Sequence, residues 1–135
     1  MISHTPNSEY MLLLRNTRFE ETLSPDEMQV AMGRFAEWFE RMRVGGKLKA
    51  GQPLANGGKV LTGRKDRAVA DGPFMESKEA VGGYIVLTAD DMEEAVALAE
   101  ECPMLDYGGT IEVRPISAMC AAMEQANIKL TPVGL

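Results

Sequence analysis

Apolar and polar positions along the chain follow two periods. Glu9-Tyr-Met-Leu-Leu-Leu-Arg15 is apolar at every central position, and Gly82-Gly-Tyr-Ile-Val-Leu-Thr88 repeats that pattern, so both read as short strands. Between them the spacing changes to three and four residues. Met28, Ala31, Met32, Phe35, Phe39 and Met42 then form one apolar stripe of a helix. Ser24-Pro-Asp-Glu27 starts that helix: serine caps, proline suits the first turn, and Glu27 can reach back to the cap amide. Gly45-Gly46 ends it. A second helix is expected with Asp90 as its cap, Glu93 completing a capping box, and Met92, Ala95, Val96 and Ala99 as its stripe, up to Pro103. Residues 109–116, GTIEVRPI, alternate as a last strand, and Met119, Ala122, Met123, Ala126 and Leu130 keep helical spacing beyond it.

The middle of the chain holds two more strand-like pieces, KLKAGQPL and KVLTGR, separated by Asn56-Gly57-Gly58, a sequence that favours a tight hairpin turn. A third piece, RAVADG, follows. The order is therefore β-α-β-β-α-β with a hairpin inserted in the middle and a helix added at the end. Right-handed crossovers place both main helices on one face of an antiparallel sheet whose central strands are the first and third. The expected class is α+β, ferredoxin-like. A chain of 135 residues suits one domain: a flexible leader over 1–8, the folded domain over 9–116, and a helical extension over 117–135.

Helices on one face should leave central strands that alternate apolar and polar, yet MLLL and YIVL are apolar on both sides. The economical cover for the second face is the same face of another copy, so the sequence predicts a homodimer of the dimeric α/β-barrel type. In the last strand Ile111 and Val113 can point to the helices, which turns Glu112 and Arg114 to the other face. There they are either paired or directed at a ligand.

Composition narrows the picture. Hydrophobic residues at 45% and charged residues at 25% are ordinary globular values. The apolar run from Tyr10 to Leu14 is too short for a signal peptide or a membrane span, leaving the cytoplasm as the expected location. Net charge is −6, but eight basic residues and one acid, Asp66, lie between Arg41 and Arg67. That patch is either a recruiter of anions or a set of solvated side chains (Lys47, Lys49, Lys59, Arg64, Lys65, Arg67) on a hairpin. An acidic chain without interleaved aromatics in the patch argues against nucleic acid. Cys102 and Cys120 have no metal or redox spacing and read as small buried thiols. The one histidine, His4, falls in the polar leader, so the body of the chain lacks the commonest general base.

One loop stands out: DGPFMESKEAVGG, residues 71–83, which runs straight into a strand. Asp71 and Gly72 tolerate a tight turn, Pro73 fixes one dihedral, and Gly82-Gly83 permits close approach of a backbone or a ligand. It is either a stiff turn or the wall of a site.

VADGPFMESKEAVGGYIVL, the helix after it, the Cys-Pro pair and GTIEVRPI together resemble the DGPF branch of the YCII-related domain family, from Tyr10 through Ile116. The resemblance implies a dimeric ferredoxin-like fold with a cleft at the motif. It also implies, for some members, small enzymes acting on aromatic or chlorinated substrates through a histidine early in the first helix and an aspartate before the proline that follows the second. Here Glu27, Met28 and Gln29 open the first helix and Cys102 precedes Pro103, so that dyad is absent. A link to sigma-factor regulation is implied as well.

For chemistry, the candidate base is Asp71, with Glu76 as a second carboxylate whose like charge tunes it. Arg15, Lys78 and Arg114 could hold an anionic group, with Phe74 and Tyr84 lining the same cleft. Glu76, Lys78 and Glu79 read equally as an exposed, mutually screened cluster. No metal cluster, phosphate-cradling loop or nucleophile–histidine pair occurs, so no cofactor is indicated. Three functions follow: a small-molecule-binding dimer with cofactor-free lyase, isomerase or hydrolase activity, a non-enzymatic sensor tied to sigma-factor regulation, and an interaction protein in which the motif only shapes the hairpin.

Overall fold

The computed structural model describes residues 8–63, 68–72 and 80–129. Its elements run β1 (Ser8–Arg15), α1 (Pro25–Val44), β2 (Leu48–Pro53), β3 (Lys59–Thr62), β4 (Ala68–Asp71), β5 (Val81–Ala89), α2 (Met92–Glu100), β6 (Thr110–Pro115) and α3 (Ala121–Gln125). Two 3-10 turns, Phe19–Glu21 and Pro103–Tyr107, join them. The chain is thus a mixed α+β structure with three helices. Its main sheet is antiparallel in the order β2-β5-β1-β6, with the first strand and the fifth at the centre.

Helix α1 begins as its sequence requires. The Ser24 side chain accepts from the Glu27 amide at 3.2 Å and the Glu27 carboxylate accepts from the Ser24 amide at 2.8 Å, with Pro25 in the first turn. Acids in the first turn and Arg41 and Arg43 in the last complement the helix dipole. Gly46 leaves at φ 77°, a left-handed angle that glycine adopts without a Cβ clash, and the Lys47 amide donates back to the Met42 carbonyl at 2.9 Å.

Side chains alternate on the central strands and so divide between two faces. Leu12 and Leu14 of β1, with Ile85 and Leu87 of β5, pack with Trp38 and Met42 of α1 and Ala99 of α2 in one core. Both long helices therefore lie on that face. Trp38, Leu12, Ile85 and Leu87 are fully buried, each worth about 1.5–3 kcal/mol of transfer free energy. Ile111 and Val113 pack against the same core. The opposite face carries Met11 and Leu13, both half-buried. Val86 lies beside Met11 there and has no exposed surface. The single chain therefore dries Val86 without a second copy, while Met11 and Leu13 stay partly open.

Four expectations are corrected. KLKAGQPL and KVLTGR do not form a hairpin: β2 pairs with β5, and β3 pairs with β4 in a separate two-stranded sheet. Asn56-Gly57-Gly58 does use positive φ at Gly57 and Gly58, but as the passage between two sheets. The cap of α2 is Asp91 rather than Asp90. Its side chain accepts from the Glu94 amide at 2.9 Å, and Glu94 in turn accepts from the Asp90 amide at 2.7 Å. The terminal helix is only Ala121–Gln125 with no buried residue; Met119 and Met123 are partly covered, and Ala122 and Ala126 are exposed. Cys102 is buried as expected, whereas Cys120 is exposed. His4, Arg64, Lys65, Asp66, Arg67 and Leu130 lie outside the described residues. No described helix is long and apolar enough to cross a membrane.

Candidate ligand-binding site

The apolar stripe of α1 is wider than the core needs. Ala31, Trp38 and Met42 are buried, but Met28, Met32, Phe35 and Phe39 are only partly covered. Those four side chains form one wall of a cavity of about 690 Å³ between α1 and the sheet. Leu14 and Ile85 line it from β1 and β5, Phe19 and Met104 from the two 3-10 turns.

Glycines make the space. Gly51 on β2 and Gly83 on β5 line the cavity without side chains. A Cβ on Gly51 would lie 3.3 Å from the Phe39 ring, and one on Gly83 would lie 3.1 Å from the Gln52 carbonyl. At Gly82 an added Cβ would collide with Thr17 Oγ1. The Gly-Gly pair that opens β5 is thus explained by close approach, to Thr17 on one side and to the β2 backbone on the other.

The loop after β1 is turned by Asn16 at φ 58°, an angle that asparagine tolerates, and its side-chain amide donates to the Gly108 carbonyl at 2.7 Å. This fixes Thr17, Arg18, Phe19 and Glu20 at the cavity. Behind the wall, Phe35 contacts Trp38 and Phe39 with ring centroids 5.5 and 6.0 Å apart, so the aromatic surface is held by the core. Opposite, Arg34 donates to Asp106 at 2.7 Å and to the Tyr107 hydroxyl at 3.1 Å, tying the second 3-10 turn, and with it Met104, to α1.

Polar groups stand at the margin: Arg18, Glu20, Glu40, Gln52 and Asn56. Arg18 is paired with Glu21, and Arg43 donates from Nε to Glu40 at 3.0 Å. That pairing holds the Glu40 carboxyl below its ordinary value. No polar or charged residue is buried among the described residues. The arrangement can enclose an apolar molecule, and it presents no desolvated acid or base to one.

Of the residues singled out in the sequence, Tyr84 borders this cavity, but it stands opposite Leu13 in the strand register, which puts its side chain on the other face of the sheet. Arg15 and Arg114 lie on the other side of the sheet, where both pair with Glu112, the latter at 3.7 Å. Arg15 Nε is buried there with no hydrogen-bond partner. Asp71 ends β4, is three-quarters exposed and pairs with Lys59 across the hairpin. Phe74, Glu76 and Lys78, with Pro73 and Glu79, lie outside the described residues. The basic patch resolves into separate ion pairs, Lys47 with Glu94 at 3.0 Å, Lys49 with Glu9, and Lys59 with Asp71. Sequence reasoning missed the cavity itself. Its only signal was an excess of large apolar side chains, Met28, Met32, Phe35 and Phe39, facing glycines.

The family model of the YCII-related domain matches residues 9–120 of the chain. No curated protein matches it.

Proposed function

The chain belongs to the YCII-related domain family, and from that premise we propose that it is a homodimeric small-molecule-binding domain whose ligand occupies the cavity between α1 and the sheet. One observation carries the reading: a cavity of about 690 Å³, walled by Met28, Met32, Phe35, Phe39 and Ile85 and bordered by a few polar side chains such as Thr17, Arg18 and Gln52, has the size and lining of a small-molecule site. Binding without turnover is favoured, because general acid–base work needs a positioned titratable group, and the charged groups at this cavity are at its mouth. Asp71, on an exposed hairpin and paired with Lys59, has a structural task there.

The strand order β2-β5-β1-β6 with both long helices on one face supports a ferredoxin-like assignment. Dimerisation through the other face is supported by its anatomy. Met11 and Leu13 stand half-buried at its centre, between the Glu9–Lys49 pair and the Arg15–Glu112 pair, an apolar middle with a charged rim. As a sensor of this kind the domain reports to a protein partner, and the DGPF motif makes a sigma-factor regulator the partner to test by copurification.

The experiment is a thermal-shift screen of small aromatic compounds on the parent chain and on Met32→Trp, which projects a larger side chain from α1 into the cavity. A ligand at one hundred times its Kd stabilises by about 2.7 kcal/mol, so the parent's Tm should rise by several degrees and the variant's should not. A parent chain indifferent to the whole screen, or a shift that survives Met32→Trp, removes the proposal.

A further inference from the structure

We infer that the cavity selects an apolar, aromatic molecule carrying no negative charge; the inference rests on the cavity being the ligand site. The interior offers hydrocarbon, thioether and ring surface from Met28, Met32, Phe35, Phe39 and Met104. Aromatic faces stack on aromatic ligands, and the unbranched methionines reshape around different outlines. None of those five side chains can pair with an anion, the further donors Thr17, Gln52 and Asn56 are neutral, and a carboxylate desolvated without a charged partner is disfavoured.

Charge at the mouth acts in the same direction. Arg18, the one lining cation among the described residues, is engaged by Glu21, and Glu40 is neutralised by Arg43. Glu20, exposed on the first 3-10 turn, has no ion-pair partner among the described residues. The margin formed by these residues therefore keeps one uncompensated negative charge, on a chain whose net charge is −6. Arg15 and Arg114, the cations that the sequence offered to an anionic substrate, are on the far side of the sheet and committed to Glu112.

The test is a matched set of naphthalene derivatives, measured by calorimetry at low salt: 1-naphthylmethanol, 1-naphthoate and 1-naphthylmethylammonium. The alcohol should bind most tightly and the carboxylate about tenfold or more weakly, with the ammonium compound, whose charge meets Glu20 at the mouth, between them. Glu20→Lys, which reverses the charge at an exposed position, should raise the affinity for naphthoate relative to the alcohol about threefold. Naphthoate binding as tightly as the alcohol, or indifferent to Glu20→Lys, overturns the charge selection while leaving the ligand site in place. If none of the three binds, the reading of the cavity as a site fails with it.

Discussion

The indole Nε1 of Trp38, on α1, donates to the backbone carbonyl of Leu98, on α2, at 3.0 Å. Leu98 stands in the last turn of α2, and its carbonyl accepts also from the Glu101 amide at 3.3 Å. The largest buried side chain of the core thus also ties the two helices together. Trp38→Phe should keep most of the packing but lose this hydrogen bond between the helices, a cost of about 0.5–1.5 kcal/mol. Trp38→Ala adds a cavity and should cost about 3–5 kcal/mol. Urea unfolding followed by far-UV circular dichroism checks both, since Trp38 is the chain's one tryptophan and its fluorescence goes with it.

Trp38 also shows where legibility ends. The helix was plain from its cap and its three-and-four spacing. Which edge of the stripe meets the core was not, because Trp38 and Phe35 are both apolar and only the sheet's position separates them. The same limit applies to β2. Its neighbour in sequence, β3, looks like a hairpin mate, but β5 offers nine residues of apolar strand and wins the pairing. Asp90 and Asp91 precede Glu93 and Glu94 with identical spacing, so two capping registers were open, and tertiary packing chose the later one. The paired strands, both long helices and the half-buried second face were written in local pattern. The cavity was not, because a void is defined by which side chains of α1 face which residues of the sheet, a relation set by the tertiary fold.

Gly82 supplies a test of the close approach at the mouth. A methyl group there meets Thr17 Oγ1, so Gly82→Ala should destabilise by about 1–3 kcal/mol through overpacking. Thr17→Ala in the same chain removes the obstructing hydroxyl and should recover much of the loss. A double-mutant cycle on denaturation midpoints reads the coupling. Additive effects at the two positions would show that the loop does not rest on β5.

Acid should unfold the chain earlier than its core suggests. Glu27 and Glu94 both lie below the ordinary value of 4.5, Glu27 through the Ser24 amide and Glu94 through the Asp90 amide and then Lys47. Glu40 is lowered by Arg43. With folded values depressed, the unfolded chain takes up protons first, so these groups stabilise above about pH 4.5 and lose their effect as pH falls through the folded values. Tm should fall progressively below that pH. Glu94→Gln should start lower at neutral pH and decline less steeply, converging with the parent in acid. A variant that parallels the parent down the whole titration would exclude the Glu94 contribution.

The two cysteines should behave as opposites. Burial pushes the Cys102 thiol up to about 11, and its side chain sits in the main core. Cys120 is exposed, and the amides of Met123 and then Ala122 lower its thiol below the ordinary 9.0. The thiolate is the reacting form, so at pH 8 a maleimide should modify Cys120 quickly and leave Cys102 untouched. Cys120→Ser should abolish the fast phase, and Cys102 should label only in denaturant. The raised Cys102 value has a second consequence. The unfolded thiol ionises first as pH rises past 9, so stability should fall from there toward 11, and Cys102→Ala should flatten that alkaline slope although it costs packing at every pH. Mass spectrometry of the labelled chain reads the first expectation and Tm against pH the second; rapid labelling of Cys102 in the folded chain would mean that α2 and the turn after it open far more readily than a core position allows.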